Sequence, residues 1–129
     1  MKKNILFVCI ENSNRSQMAE AFAIMLGDNL VNAFSAGSKP SGTINPKAIL
    51  SMIEIGYDLT AHESKSLDQI SDIEYDFVIT MGCGDECPYV NAKQREDWNI
   101  PDPKNMNSIE FNYVRDAIKE KVKQLLKAL

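Results

Sequence analysis

The chain has 129 residues, about one ordinary domain, and 44% of them are apolar, enough for a buried core without disulfides or metal ions. Its net charge of −4 argues against a nucleic acid or an anionic membrane as the main partner. The N-terminal apolar run, residues 5–10, is too short for a signal peptide or a membrane span. We therefore expect one cytoplasmic domain over residues 1–129, in which cysteines are reduced at rest.

The first third of the chain predicts a strand, a helix and a second strand. Residues 4–8 are a continuous apolar run, as in a buried parallel strand. Residues 16–27 carry apolar side chains at helical spacing and end in a glycine, which suits a helix C-terminus. Residues 30–37 predict the second strand. Cys9 thus follows the end of the first strand, and Arg15 stands where the first helix begins.

The middle of the chain predicts a second helix and a capped turn. Asn45 suits the N-cap, and Pro46 the first position, of a helix that ends at Gly56. Ser66 is followed three residues later by Gln69, which is the spacing of a capping box.

The last part of the chain predicts two strands and a long helix. Residues 75–81 predict the third strand, and residues 96–100 a short fourth. Ser108 can cap an amphipathic helix whose apolar stripe is Phe111, Val114, Ile118, Val122, Leu125 and Leu126. Strands alternating with helices predict an α/β fold of three layers, with a four-stranded parallel sheet of order 2-1-3-4 flanked by helices. Ligands of such sheets bind beyond the carboxyl ends of the strands, where the strand order reverses.

The turn after the first strand has the pattern Cys-x5-Arg-Ser, which is typical of an oxyanion site. Its backbone N–H groups can curl around one point at the positive end of the helix. Arg15 offers a planar fork to a tetrahedral oxyanion, and the same field favours a Cys9 thiolate, to which Ser16 can donate. A small residue ending a strand, with an arginine in an ordinary salt bridge, is the alternative that the combined pattern disfavours. The predicted oxyanion-binding loop comprises Ile10, Glu11, Asn12, Ser13, Asn14, Arg15 and Ser16.

A nucleophile that attacks an oxyanion centre must expel an oxygen, so a general acid is expected. Asp102 lies between two prolines after the predicted fourth strand, which places it on the same carboxyl edge of the sheet as Cys9. An Asp-Pro pair read by itself is a turn, and the position of Asp102 is what makes it the candidate acid.

Two further cysteines, Cys83 and Cys87, follow the third strand in a segment with two glycines. A bent four-residue segment can bring two Cα atoms within disulfide range, so these thiols can exchange with an adduct or a disulfide on Cys9. Incidental thiols are one alternative. Zinc, held by the three cysteines and His62, is another, but the paired knuckles of zinc sites are missing. We expect neither a metal ion nor another cofactor, and we interpret His62 as a loop residue.

Together these residues resemble a known family, the thioredoxin-coupled arsenate reductases built on the low-molecular-weight protein tyrosine phosphatase fold. The resemblance covers nearly the whole chain and includes CIENSNRSQMAEAF, SAG, NPKAI, ITMGCGDECP, EDWNIPDP and the final helix. Low-molecular-weight tyrosine phosphatases share the Cys-x5-Arg-Ser loop and the acid. The RSQMAE sequence, Cys83 and Cys87 favour the reductase, as does Lys104-Asn105 where the phosphatases usually carry a tyrosine pair.

The resemblance implies a reaction in which Cys9 attacks arsenate held by the loop and Arg15, while Asp102 protonates the departing oxygen. Cys83 then attacks the adduct, which releases arsenite and leaves a Cys9–Cys83 disulfide. Cys87 attacks Cys83, and thioredoxin reduces the resulting Cys83–Cys87 disulfide. Two other functions stay open: a phosphatase acting on phosphotyrosine or small phosphate esters through a cysteinyl phosphate, and a non-catalytic oxyanion or arsenical sensor.

Three features depart from the family pattern. The Cys-x3-Cys spacing is narrower than in the best-known relatives, which bears on the identity of the reductant. Some relatives bind potassium at the positions of Glu63 and Lys65, and Lys65 is the expected replacement for that cation. Glu11 stands where many relatives have glycine. A carboxylate pointing into the loop would repel an oxyanion, so we expect Glu11 to point outward, toward solvent or a basic neighbour such as Lys65.

Overall fold

The structure is a computed structural model that describes residues 2–70, 72–82 and 90–129. Two short 3-10 turns, Leu59–Ala61 and Leu67–Gln69, lie between the second helix and the third strand. In chain order, the longer elements are β1 (Lys3–Cys9), α1 (Arg15–Gly27), β2 (Val31–Gly37), α2 (Pro46–Ile53), β3 (Tyr75–Thr80), β4 (Ala92–Asp97) and α3 (Ser108–Lys127).

The four strands form one parallel sheet with the order β2-β1-β3-β4, which confirms the predicted fold class. Cys9 pairs with Gly37 in β2, and Val8 pairs with Thr80 in β3. The backbone N–H of Met81 donates to the carbonyl of Val8 at 3.0 Å. The carboxyl ends of β1 and β3 therefore lie side by side, where ligands of such sheets bind.

The side chains of β1 alternate between two apolar clusters, as strand geometry requires. Ile5 and Phe7 belong to the larger cluster, which contains buried apolar residues of α1, α2 and α3. Leu6 and Val8 face the other way and pack with a smaller cluster that includes Ala36, Tyr75 and Val78. Because β1 is buried on both faces, the end of this strand is a rigid support for Cys9.

The fourth strand was predicted too late in the chain. It covers Ala92–Asp97 instead of 96–100, and most of its side chains are exposed. This strand lies at the sheet edge, where charged side chains are common because one side has no partner strand. Trp98 and Ile100 are buried, which explains the apolar pattern that suggested a strand there.

The capping predictions are partly confirmed. Asn45 caps α2 by accepting from the N–H of Lys47, and Ser66 forms the predicted capping box. Ser108 is the first helical residue of α3 rather than its cap. Asn107 is the cap, because its side chain accepts from the Glu110 N–H while the Glu110 carboxylate accepts from the Asn107 N–H. Within the ranges that the structure describes, no helix is long and apolar enough to cross a membrane.

Candidate active site

The oxyanion loop turns its carbonyl groups outward. The Asn12 carbonyl accepts from Gln17 Nε2 at 3.0 Å. Because trans peptides are planar, an outward carbonyl directs the next N–H inward, so the N–H groups of residues 10–14 face a common centre. The other carbonyls, of Cys9, Ile10, Glu11 and Ser13, accept at 2.8–3.3 Å from the N–H groups of Ser38, Lys39, Ser41 and Asn45.

The sulfur of Cys9 is buried and receives hydrogen bonds from two sides. The Asn12 N–H donates to Sγ at 3.2 Å, and Ser16 Oγ lies 2.8 Å from Sγ. Asn12 Nδ2 donates to Ser16 Oγ at 2.8 Å. Because the Ser16 oxygen accepts this bond, the hydroxyl proton of Ser16 is oriented toward the sulfur. The sulfur is therefore held between the Asn12 N–H and the Ser16 hydroxyl at the base of the loop.

The centre of the loop opens into a cavity of about 60 Å³. One water needs roughly 10–15 Å³, so the cavity has room for a small ion. Asp102 lines this cavity together with residues of the loop. The sequence placed Asp102 and Cys9 at the same carboxyl edge of the sheet. The cavity lining consists of Cys9, Ile10, Glu11, Ser13, Asn14, Arg15 and Asp102.

Arg15 is buried at the start of α1 and is anchored through one nitrogen. Its Nη1 donates to the carbonyl of Met81 at 2.5 Å and to that of Ile100 at 2.9 Å. Met81 precedes Cys83 by two residues, and Ile100 precedes Asp102 by two residues. The arginine thus joins the oxyanion loop to both segments that carry the other predicted site residues. Sequence reasoning missed this role because it treated Arg15 only as an anion ligand.

Cys83 and Cys87 lie outside the described residues. The described chain leaves the sheet at Met81 and Gly82, beside the end of β1, and resumes at Val90. Gly82 has φ +82°, and a Cβ at this position would lie 3.1 Å from Arg15 Nη1. Among the residues that the structure describes, no group of three or more His, Cys, Asp and Glu side chains is arranged to hold a metal ion.

Glu11 forms an ion pair with a lysine, but this lysine is Lys104 and not Lys65. Its Oε2 lies 3.1 Å from Lys104 Nζ. Lys65 Nζ instead donates to the carbonyl of Glu63 at 3.2 Å. A basic neighbour was expected, and it is Lys104 rather than Lys65 because Lys104 belongs to the segment that carries Asp102, which lines the same cavity as Glu11. Replacement of a potassium ion by Lys65 stays a prediction.

A buried polar network beneath the loop was not predicted. Asn12 has φ +51°, a left-handed conformation that asparagine tolerates better than most residues. Gln17 Nε2 holds it by donating to the Asn12 carbonyl and to Asn12 Oδ1 at 3.0 and 2.8 Å. His62 follows a 3-10 turn, and its Nδ1 lies 2.9 Å from Gln17 Oε1. The RSQ sequence was the available signal, because a polar residue in the first turn of a helix can reach back to the preceding loop.

The partners of His62 assign its tautomer. Nδ1 faces two acceptors, Gln17 Oε1 at 2.9 Å and Glu20 Oε1 at 3.4 Å, so this nitrogen carries the proton. In the neutral ring Nε2 is then an acceptor for the Tyr57 hydroxyl at 2.6 Å. Burial, followed by the Glu20 and Asp58 carboxylates, raises the pKa of Tyr57, which keeps this hydroxyl a donor. The network therefore supports Asn12 from below.

Comparison with known proteins identifies the family of this chain. A family model described as low molecular weight phosphotyrosine protein phosphatase matches residues 4–129. The chain belongs to this family. It is 38% identical over 127 residues to a protein of Synechocystis sp. named glutaredoxin arsenate reductase, with 96% of each chain covered. It is 40% identical over 128 residues to arsenate reductase 2 of Staphylococcus saprophyticus, with 95% of each covered.

The solved structures agree with this assignment. A structure described as an arsenate reductase in the phosphate binding state has a TM-score of 0.89 and 37% identity to this chain. The match covers 99% of this chain and 98% of that one. This chain therefore shares both the family and the fold of those proteins.

Proposed function

We propose that this chain reduces arsenate to arsenite, with Cys9 as the nucleophile. The observation that carries the proposal is the path of the chain after β3. It leaves the sheet at Gly82, against Arg15 of the oxyanion loop, and a second cysteine, Cys83, follows at once in the sequence. Hydrolysis of a phosphate ester needs no second thiol, whereas reduction of arsenic needs two electrons from a pair of thiols. Similarity to proteins named arsenate reductase over nearly the full length supports the same conclusion.

The first step is nucleophilic substitution at arsenic. The inward N–H groups of the oxyanion loop and the N-terminus of α1 bind the arsenate oxygens, together with Arg15. The Cys9 thiolate forms a sulfur–arsenic bond, and the bond from arsenic to the oxygen of one arsenate hydroxyl breaks. Asp102 donates a proton to this oxygen, so that it leaves as water. At this stage arsenic is still As(V).

The second step is the reduction. The Cys83 thiolate attacks Cys9 Sγ and forms a disulfide, and the electron pair of the sulfur–arsenic bond passes to arsenic, which leaves as arsenite, As(III). The Cys87 thiolate then attacks Cys83, which frees Cys9 as a thiolate and leaves a Cys83–Cys87 disulfide. An external dithiol reduces this disulfide. Thioredoxin is our proposed donor, and the name of the Synechocystis relative makes glutaredoxin the competitor.

An NADPH-linked assay tests the proposal. The full chain is supplied with arsenate and either thioredoxin with its reductase, or glutaredoxin with glutathione and glutathione reductase. We expect arsenate-dependent NADPH oxidation with thioredoxin and its loss in Cys83→Ser and Cys87→Ser. Undiminished turnover in Cys83→Ser would refute the relay. Turnover with the glutaredoxin system but not with the thioredoxin system would identify glutaredoxin as the donor. Stoichiometric arsenate binding without turnover in either system would indicate a sensor.

Phosphatase activity is the second candidate, because the family is described by that activity and the loop and acid belong to both reactions. Hydrolysis of p-nitrophenyl phosphate by the wild type distinguishes the two functions. Efficient hydrolysis that survives Cys83→Ser, combined with no arsenate turnover, would favour the phosphatase. Mapping the disulfides after one turnover tests the order of the thiols, since a Cys9–Cys87 bond would reverse the roles of Cys83 and Cys87.

A further inference from the structure

One ion pair ties the segment that carries Asp102 to the oxyanion loop. We call this segment, residues 101–106, the acid loop. Lys104 Nζ lies 3.1 Å from Glu11 Oε2, and the two side chains are 54% and 35% exposed. Glu11 and Asp102 both line the cavity, and Asp102 lies two residues before Lys104 in the chain. The pair therefore connects the loop that surrounds the anion with the loop that carries the acid.

Lys104 is fixed through its backbone as well as through its side chain. Its N–H donates to Asp102 Oδ1 at 3.1 Å, so the orientation of this carboxylate depends on where the Lys104 backbone lies. Its carbonyl accepts from Lys47 Nζ at 3.3 Å, and the same ammonium donates to the Met106 carbonyl at 2.9 Å. Lys47 thus holds the acid loop from α2, and Glu11 holds it from the oxyanion loop.

We propose that Glu11 and Lys104 are positioning residues, which place Asp102 for proton transfer and balance each other's charge at the cavity mouth. This inference rests on the proposed function in that it takes Asp102 as the general acid. A carboxylate on the rim of an anion site repels the anion unless a cation compensates it. Lys104 compensates Glu11, so the loop tolerates an acidic residue at position 11.

Substitution of the two residues should change anion affinity in opposite directions and lower kcat in both cases. Lys104→Met keeps most of the side-chain bulk but leaves the Glu11 carboxylate uncompensated, so anion affinity should fall. Glu11→Gln keeps the shape but leaves the ammonium uncompensated, so anion affinity should rise. Both variants break the tether to the acid loop, so both should lower kcat. Exposed ion pairs contribute little, and about two- to fivefold is the expected size of each effect.

The experiment uses the full chain with two independent readouts. Anion affinity is measured as protection of Cys9 by inorganic phosphate against iodoacetamide, followed on the Cys9 peptide. Turnover is measured with arsenate plus reductant and, separately, with p-nitrophenyl phosphate. We expect phosphate affinity to change in opposite directions in Lys104→Met and Glu11→Gln, while kcat falls in both. Lys104→Arg should restore both quantities. In an Asp102→Asn background neither substitution should lower kcat further, because both act through Asp102.

A matched control is available on α3, where Lys123 and Glu120 form an exposed ion pair at 3.7 Å outside the cavity lining. Lys123→Met and Glu120→Gln should retain wild-type affinity and kcat. Phosphate affinities that do not change, or that change in the same direction, would overturn the proposal, as would an unaltered kcat in both variants. If the wild type fails to turn over arsenate, the proposed function is wrong, whereas phosphate protection still decides the role of the ion pair.

Discussion

Gly37, the last residue of β2, lies so close to the oxyanion loop that it has no room for a side chain. A Cβ at this position would lie 2.5 Å from the Ile10 carbonyl oxygen and 3.0 Å from the Asn12 nitrogen. Ordinary contact begins at 3.4 Å, so the Ile10 carbonyl would have to retreat by about 0.9 Å. The closest atoms in the way are backbone atoms of the oxyanion loop. Gly37→Ala should therefore displace the inward N–H groups.

The size of the effect follows from this displacement. Forcing an extra methyl into a packed site costs about 1–3 kcal/mol of unfolding free energy. A displacement of about 1 Å in a reacting site can cost up to 10²-fold in rate, so we expect anion affinity and kcat/KM to fall about ten- to a hundredfold. Urea unfolding measures the loss of unfolding free energy. Phosphate protection of Cys9 measures the anion affinity, and steady-state kinetics measure kcat/KM.

Gly56 provides the matched control. It has φ +89°, and a Cβ there would meet no atom within 4 Å. Gly56→Ala should lose about 1–2 kcal/mol through backbone strain, which is similar to the loss in Gly37→Ala, but keep wild-type anion affinity. Gly37→Ala protein that binds phosphate within twofold of the wild type would refute the reasoning, because the loop would then have absorbed the methyl without losing its geometry.

Three further predictions concern single groups. Ser16→Ala removes the hydrogen bond between Ser16 Oγ and Cys9 Sγ. Hydrogen bonds to charged groups contribute about 1.5–3 kcal/mol, and alkylation proceeds through the thiolate, so alkylation of Cys9 by iodoacetamide at pH 7 should slow at least tenfold; an unchanged rate would show that Ser16 does not stabilise the reacting form of Cys9. Asp102→Asn should lower kcat by about 10²–10⁴-fold, the range for a general acid, while the Cys9 alkylation rate stays near that of the wild type; loss of both would indicate a damaged loop. The Asn4 N–H lowers the pKa of Asp76, so the carboxylate stabilises the fold above about pH 4 and this contribution disappears as the pH falls through the lowered value. In urea unfolding, the stability difference between wild type and Asp76→Ala should therefore be constant near pH 7 and shrink below about pH 4, and a difference that grows in acid would contradict this.

Most local features of the fold were readable from the sequence because each depends on residues that are close in the chain. Asn45 caps α2 through a residue two positions on, and the Ser66 capping box spans three. Cys9 and Arg15 are likewise only six positions apart, so the sequence predicts a strand end and a helix start on either side of one short turn. The parallel sheet followed from the alternation of strands and helices, since a right-handed crossover then leaves few possible strand orders.

Edge strand β4 could not be recognised in this way. The sequence AKQRED has neither the apolar run nor the alternation of a buried strand, and its side chains are largely exposed. It is a strand because β3 offers an unpaired edge, and Phe77 and Ile79 lie opposite Gln94 and Glu96 in the ladder. The hydrogen bonds that define it are made by the backbone, whose pairing no side-chain pattern of β4 specifies.

The sequence by itself determined the chemistry available at the site: a thiol, a guanidinium and a hydroxyl at fixed spacing around one turn. The tertiary structure decided which distant groups meet it. Arg15 reaches carbonyls 66 and 85 positions away, and the partner of Glu11 is Lys104, 93 positions away, rather than Lys65. Both lysines are compatible with an outward carboxylate, and the choice depends on how the acid loop packs against the oxyanion loop. That packing arises from contacts between segments far apart in the chain, which local sequence patterns do not encode.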